Sequence, residues 1–216
     1  MTLEMMLGNV LQLVELYFVG AIGTAALAAI SVSGSVRWGL TSLSMGLGIG
    51  AAAVVARRVG EGNGPGADHA TGQAMALAIT GGIVLGVLGW VASSSLVGLL
   101  GAGSDVIADA TAYLRITFLG LPLMVVAFSM SATLRGAGNA TEALGMALLS
   151  NGANVLLLPF LVGGSGVVSG LGVAGAALST VLSQGLAVAG GLAYISTGRA
   201  RVHLHWLDLI PDWQVL

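Results

Sequence analysis

Long uncharged runs, separated by short clusters of charge, glycine and proline, are the dominant pattern along this chain of 216 residues. A hydrocarbon core of about 30 Å is crossed by roughly 20 apolar residues in a helix, and a backbone in lipid satisfies its own polar groups only as a helix or a closed barrel. Runs of this length therefore predict spanning helices. Six emerge, at about 3–19, 25–56, 72–96, 108–134, 142–162 and 171–196. The connections are 20–24, 57–71, 97–107, 135–141 and 163–170, with a tail from Thr197. The pattern predicts an all-α integral membrane protein whose residues 1–196 form a six-transmembrane-helix bundle and whose residues 197–216 form a cytoplasmic or interfacial linker.

Composition agrees: 56% of residues are hydrophobic and only 7% charged, against roughly a quarter charged in soluble domains. That excludes a disordered chain, and seven arginines with no lysine against nine acids leave no basic face for nucleic acid. Cysteine is absent, which removes disulfides, thiol nucleophiles and cysteine metal ligands. The 35 glycines, without a collagen period, read as close helix packing in lipid.

Charge placement adds orientation. Arg57, Arg58, Arg135, Arg199 and Arg201 fall in the second and fourth connections and the tail, while the first, third and fifth connections hold no arginine. Cytoplasmic loops are the basic ones, so both chain ends are expected in the cytoplasm of a prokaryotic cell whose inner membrane holds the protein. The first segment lacks a basic leader and carries Glu4 and Glu15, so it reads as a helix rather than a secretory signal. The tail, with His203, His205, Trp206 and Trp213, reads as lying along the membrane interface in contact with lipid, with its histidines diverging too far for a metal site.

Ionisable side chains inside a span cost about 2.5 to 3.5 kcal/mol on insertion scales and are site hypotheses by default. Glu15 is one, sharing a helix face with Gln12 and Gly8. It is either a carboxylate that takes up and releases a proton or sodium ion from an internal cavity, or a glutamate that reaches water or headgroups. Arg37 lies about a dozen residues into the second span. Counting rise from the outer turn puts Glu15 and Arg37 at depths of roughly 8 and 20 Å, which argues against their pairing. A bound headgroup, carbonyl caps or an anionic substrate are equally open partners. Arg115 is close enough to an outer boundary to snorkel. Asn151 and Asn154 share one face of the fifth span and either bond between helices or line a cavity, where Gln12 and Arg37 are the other lining candidates. Pro122 and Pro159 fall inside the fourth and fifth spans and mark helix bends.

The strings Gly46-Leu-Gly48-Ile-Gly50 and Gly166 to Gly175 lack the lysine and the preceding strand of a phosphate loop, so they read as helix packing. No nucleophile, base and acid constellation exists, so an enzyme, a catalytic residue and a resident metal or other cofactor are not expected.

Val14 to Gly20 with Gly23 to Ala29, Gly46 to Gly60, Leu134 to Asn139, and Gly172 to Ser183, taken in order, resemble the multidrug and toxic compound extrusion (MATE) family of cation-coupled efflux transporters, particularly its DinF-like branch. The resemblance implies one lobe of a twelve-helix antiporter, with a second six-helix half expected in the full-length chain. It further implies a cation-coupling site whose positions are matched here by Glu15, Asn154, Leu158 and Thr180. Glutamate replaces an aspartate at the first, and leucine replaces an acid at the third. A single acid suits protons better than sodium, since a hard cation prefers several oxygen ligands. The implied activity is export of organic, often cationic or amphipathic drugs or metabolites in exchange for protons or sodium. The alternative is a non-transporting membrane scaffold or a lipid flippase whose polar residues serve helix packing.

Overall fold

The computed structural model describes residues 2–165, 168–197, 200 and 202. Seven helices follow in order among them: α1 (Thr2–Gly20), α2 (Thr24–Gly60), α3 (Gly64–Leu99), α4 (Ile107–Leu119), α5 (Leu121–Gly136), α6 (Ala140–Gly163) and α7 (Gly172–Ser196). A two-stranded antiparallel pairing, β1 (Gly164–Ser165) with β2 (Val168–Ser169), joins α6 to α7. The tail residues His203, His205, Trp206 and Trp213, expected at the membrane interface, lie outside the described residues.

α2, α3, α6 and α7 are each long and apolar enough to cross a membrane. The pair α4 and α5 passes the same test together, bent by 50° at their junction. α1 adds an apolar helix whose stretch Val10–Gly20 is shorter. Large apolar side chains stay exposed along these helices, with Leu13, Tyr17 and Leu99 at 67%, 75% and 84%. In water this much exposed apolar surface would drive association, whereas lipid tails accept it.

Two spans differ from their sequence-derived bounds for identifiable reasons. α3 begins at Gly64 rather than 72, because Asn63 caps it: its Oδ1 accepts the Gly66 N–H at 2.9 Å, and Pro65 sits in the first turn, where its missing N–H costs nothing. The polar stretch at 64–71 reads as a loop by composition, but it is the first two turns of a helix. At 36 and 37 residues, α3 and α2 each run to about 55 Å at 1.5 Å per residue, well beyond the hydrocarbon thickness. The fourth span is two helices. Its break falls at Gly120, where an added Cβ would meet the Val181 side chain, and Pro122 follows as the second residue of α5. Pro159, by contrast, lies inside an α6 that is unbroken from Ala140 to Gly163.

The turns α2–α3 and α5–α6 share one design. Gly62 and Gly138 adopt φ of 72° and 87°, and each turn closes with paired backbone bonds, Asn63 N–H to Arg58 O with Gly62 N–H to Val59 O, and Asn139 N–H to Leu134 O with Gly138 N–H to Arg135 O. That is the Schellman end, for which glycine is favoured because a Cβ resists positive φ.

Packing divides the chain into two units. The first comprises Met1–Leu40, Leu85–Leu121 and Ser150–Ser183, and the second Thr41–Val84, Pro122–Leu149 and Gln184–Leu216. Within the second, α2 and α5 touch backbone to backbone: a Cβ on Gly48 would lie 3.2 Å from the Ala132 Cβ, and one on Gly136 would lie 2.6 Å from the Ala52 carbonyl oxygen. Of the first glycine string, only Gly48 makes such an approach; Gly46 and Gly50 border a cavity instead. Gly136→Val is expected to destabilise the protein by about 1 to 3 kcal/mol, the usual cost of overpacking against immobile atoms, while Gly145→Ala, where a Cβ meets nothing within 4 Å, changes little. Thermal unfolding of both variants in detergent checks the difference.

Candidate functional site

Within the first unit, three helices converge on one carboxylate. α1 turns Glu15 and, one turn on, Val19 to the interior, where they are 4% and 0% exposed, and leaves Leu13 and Tyr17 on its outer side. α2 brings Arg37, whose Nη1 donates to Glu15 Oε2 at 3.1 Å. α4 brings Tyr113, 1% exposed, whose hydroxyl donates to Glu15 Oε1 at 3.2 Å. Both carboxylate oxygens thus have a partner, one of them charged.

The ion pair corrects the expectation that depth keeps Glu15 and Arg37 apart. Side chains lean toward the N-terminus of their own helix. α1 and α2 run in opposite directions around a turn of three residues, so Glu15 leans away from that turn and Arg37 leans toward it. A long arginine and a glutamate reaching toward each other close a gap of roughly 12 Å in helix rise. Rise counted along the backbone ignores that lean.

A second polar group lies on α6 and α7. Asn154 is 3% exposed, and its Nδ2 donates to Thr180 Oγ1 at 3.1 Å and reaches Ser179 Oγ and Ser183 Oγ at 3.5 Å. The hydroxyl protons point elsewhere: Ser179 and Thr180 donate to the Ala176 carbonyl and Ser183 to the Thr180 carbonyl. The oxygens are left as acceptors for the amide. Leu158, one turn beyond Asn154 on the same face, is fully buried and adds no oxygen.

The candidate residues therefore fall into separate places. Glu15 joins Arg37, and Asn154 joins Thr180, while no hydrogen bond among the described residues links Glu15 to Asn154 or Thr180. Asn151 is half-buried, and Gln12 is exposed although it lies three residues from Glu15 on the same helix. Arg115 stacks on Trp90, its guanidinium carbon 5.1 Å from the ring centroid, a cation–π contact. No cluster of three or more metal-binding side chains occurs among the described residues.

Sequence reasoning missed Tyr113 and the hydroxyls of Ser179 and Ser183. Ser179, Thr180 and Ser183 lie at helical spacing on one stripe of α7, a signal that could have found them; nothing in the sequence singles out Tyr113. In the second unit, a cavity of about 280 Å³ is lined mainly by glycine, alanine and leucine with buried Gln73 and Ser129. There too, Tyr194 donates to Glu142 Oε1 at 3.1 Å and accepts from Asn139 Nδ2 at 3.2 Å, tying the start of α6 to the end of α7.

Breaking a buried pair costs more than losing its attraction, because a charge is left uncompensated, typically about 3 to 5 kcal/mol. Arg37→Met is expected to lower stability by an amount of that order, and Glu15→Gln/Arg37→Met to recover most of it. Unfolding of the single and double variants in detergent measures the coupling.

Comparison with known proteins gives three kinds of match. A family model described as MatE matches residues 1–160. The chain is 30% identical over 184 residues to a Bacillus subtilis protein named "Probable multidrug resistance protein YoeA", covering 83% of this chain and 40% of that one. It is 30% identical over 172 residues to a Shewanella oneidensis protein named "FAD transporter", covering 80% and 38%. A solved outward-facing MATE family transporter of the MOP superfamily superposes with a TM-score of 0.91 at 26% identity, covering all of this chain and 47% of that one. The chain thus spans about two fifths of the length of these curated relatives and about half of the solved transporter.

Proposed function

Because this chain belongs to the MatE family of multi-pass membrane transporters rather than to any enzyme class, we propose that it serves an efflux antiporter exporting organic, often cationic or amphipathic drugs or metabolites in exchange for protons or sodium. The observation that carries the reading is a carboxylate, Glu15, that is 4% exposed in a membrane helix and engaged from two other helices. A charge kept at that cost in an otherwise apolar helix serves the transport cycle by default. The name of the Shewanella relative supports keeping metabolites within the substrate class.

In this mechanism Glu15 is the carrier. Neutralising it weakens its hold on Arg37 and Tyr113, so α1, α2 and α4 lose the interaction that favours their present packing. A ligand shifts such an equilibrium only by its differential affinity for the two packings, and neutralisation of a carboxylate that one packing binds as an anion supplies that difference. Asn154 and Thr180 are assigned to the same coupling function as neutral oxygen and amide groups. The Gly120 break and Pro159 are the places where a helix can bend without losing a full turn of bonds.

In proteoliposomes holding the full-length protein, efflux of an organic cation driven by an imposed pH or sodium gradient is expected to fall at least about tenfold in Glu15→Gln, equivalent to about 1.4 kcal/mol, with insertion intact. Unchanged gradient-driven efflux removes Glu15 from the coupling role.

We also propose an inner-membrane location with both ends of this chain in the cytoplasm. The absence of cysteine makes the test clean: in intact cells an impermeant maleimide labels Ser104→Cys and spares Glu61→Cys, and the reverse pattern inverts the topology.

A further inference from the structure

We infer that Arg37 is a tethered cation which occupies the coupling ion's place at Glu15 and excludes sodium from that carboxylate, leaving the proton as the ion it exchanges. The inference rests on the reading of Glu15 as the coupling carboxylate and names which ion it takes. Three observations carry it. First, both carboxylate oxygens are engaged, Oε2 by the Arg37 guanidinium at 3.1 Å and Oε1 by the Tyr113 hydroxyl at 3.2 Å. Second, the Glu15 side chain is 6% exposed and that of Arg37 is 25%, so the carboxylate is the more enclosed member of the pair. Third, the hydroxyl oxygens of the second polar group of this unit, those of Ser179, Thr180 and Ser183, already accept from the Asn154 amide.

Sodium is a hard cation that needs several oxygens at once. At Glu15 it would have to displace a guanidinium of equal charge that is covalently held in place, and it would gain no further anionic ligand. A proton needs no such shell. It forms one O–H bond to a carboxylate oxygen, the carboxyl becomes neutral, and Arg37 remains a guanidinium throughout, since it does not deprotonate in proteins. Tyr113 fits both states: its hydroxyl donates to the carboxylate and can accept from the carboxylic acid. The titratable groups that face Glu15 among the described residues are these two, from α2 and α4.

The test reads ion binding rather than efflux, so it can fail independently of the transport reading. The full-length protein in liposomes is equilibrated with radioactive sodium. Wild type is expected to show no saturable binding that depends on Glu15. Arg37→Gln, which removes the tethered charge and leaves the carboxylate, is expected to bind sodium at least about tenfold more, an effect worth about 1.4 kcal/mol, and Glu15→Gln/Arg37→Gln to lose that gain. Saturable, Glu15-dependent sodium binding by wild type overturns the proposal, as does an inserted, folded Arg37→Gln with no gain. Should Arg37→Gln not insert, infrared spectroscopy of wild type decides. The acid band that appears on lowering pH and is missing in Glu15→Gln must titrate identically in sodium chloride and choline chloride, and a sodium-dependent shift overturns the proposal.

Discussion

A charge in the interior of a membrane helix cannot be left alone, and much of the first unit follows from that constraint on Glu15. Stripping a carboxylate of water costs far more than one hydrogen bond returns, so it has to be matched by opposite charge and by donors at both oxygens. α1, α2 and α4 each contribute one member of the match. Their side chains fix which faces of the three helices meet, much as a single polar residue fixes register in a coiled coil. Val19, Ile30, Ala110 and Leu114 on the same three helices are buried as well.

The two polar groups of this unit meet the same demand by different chemistry. Glu15 uses a formal charge to balance a formal charge. Asn154 is neutral and is satisfied by hydroxyls whose own protons are spent on carbonyls of α7. Such hydroxyls bend or soften a helix slightly, yet they let a chain carry polar groups in lipid without ions. One group is held by charge balance and the other by neutral hydrogen bonds.

The order and approximate places of the helical segments were legible because bilayer thickness sets run length, and charge-bearing connections interrupt the runs; that the fourth run is two helices was not. The bounds were less so. A capping asparagine and a proline in a first turn make helix out of polar residues at 64–71, where composition reads as loop. Glu15, Arg37 and Asn154 were legible as residues, since polar groups stand out against an apolar background, and Thr180 only through the family resemblance. Their partnerships were not. The pairing of Glu15 with Arg37 depends on the direction in which side chains lean, and the role of Tyr113 depends on which face α4 turns inward. Gln12 shows the limit of spacing arguments: three residues from Glu15, it is nonetheless exposed, because a face about 100° wide in an α-helix is partitioned sharply at its edges.

The paired glycine-asparagine turns have a further bearing on how this chain can move. Each joins its two helices through three residues, with a backbone conformation held by two crossed bonds. Such a joint leaves the backbone between α2 and α3, and between α5 and α6, few free torsions. The break at Gly120 is built differently, as an interruption between two helices. Backbone constraint in this chain is therefore unevenly distributed: it is tight at the two glycine-asparagine turns and interrupted where the fourth span is divided.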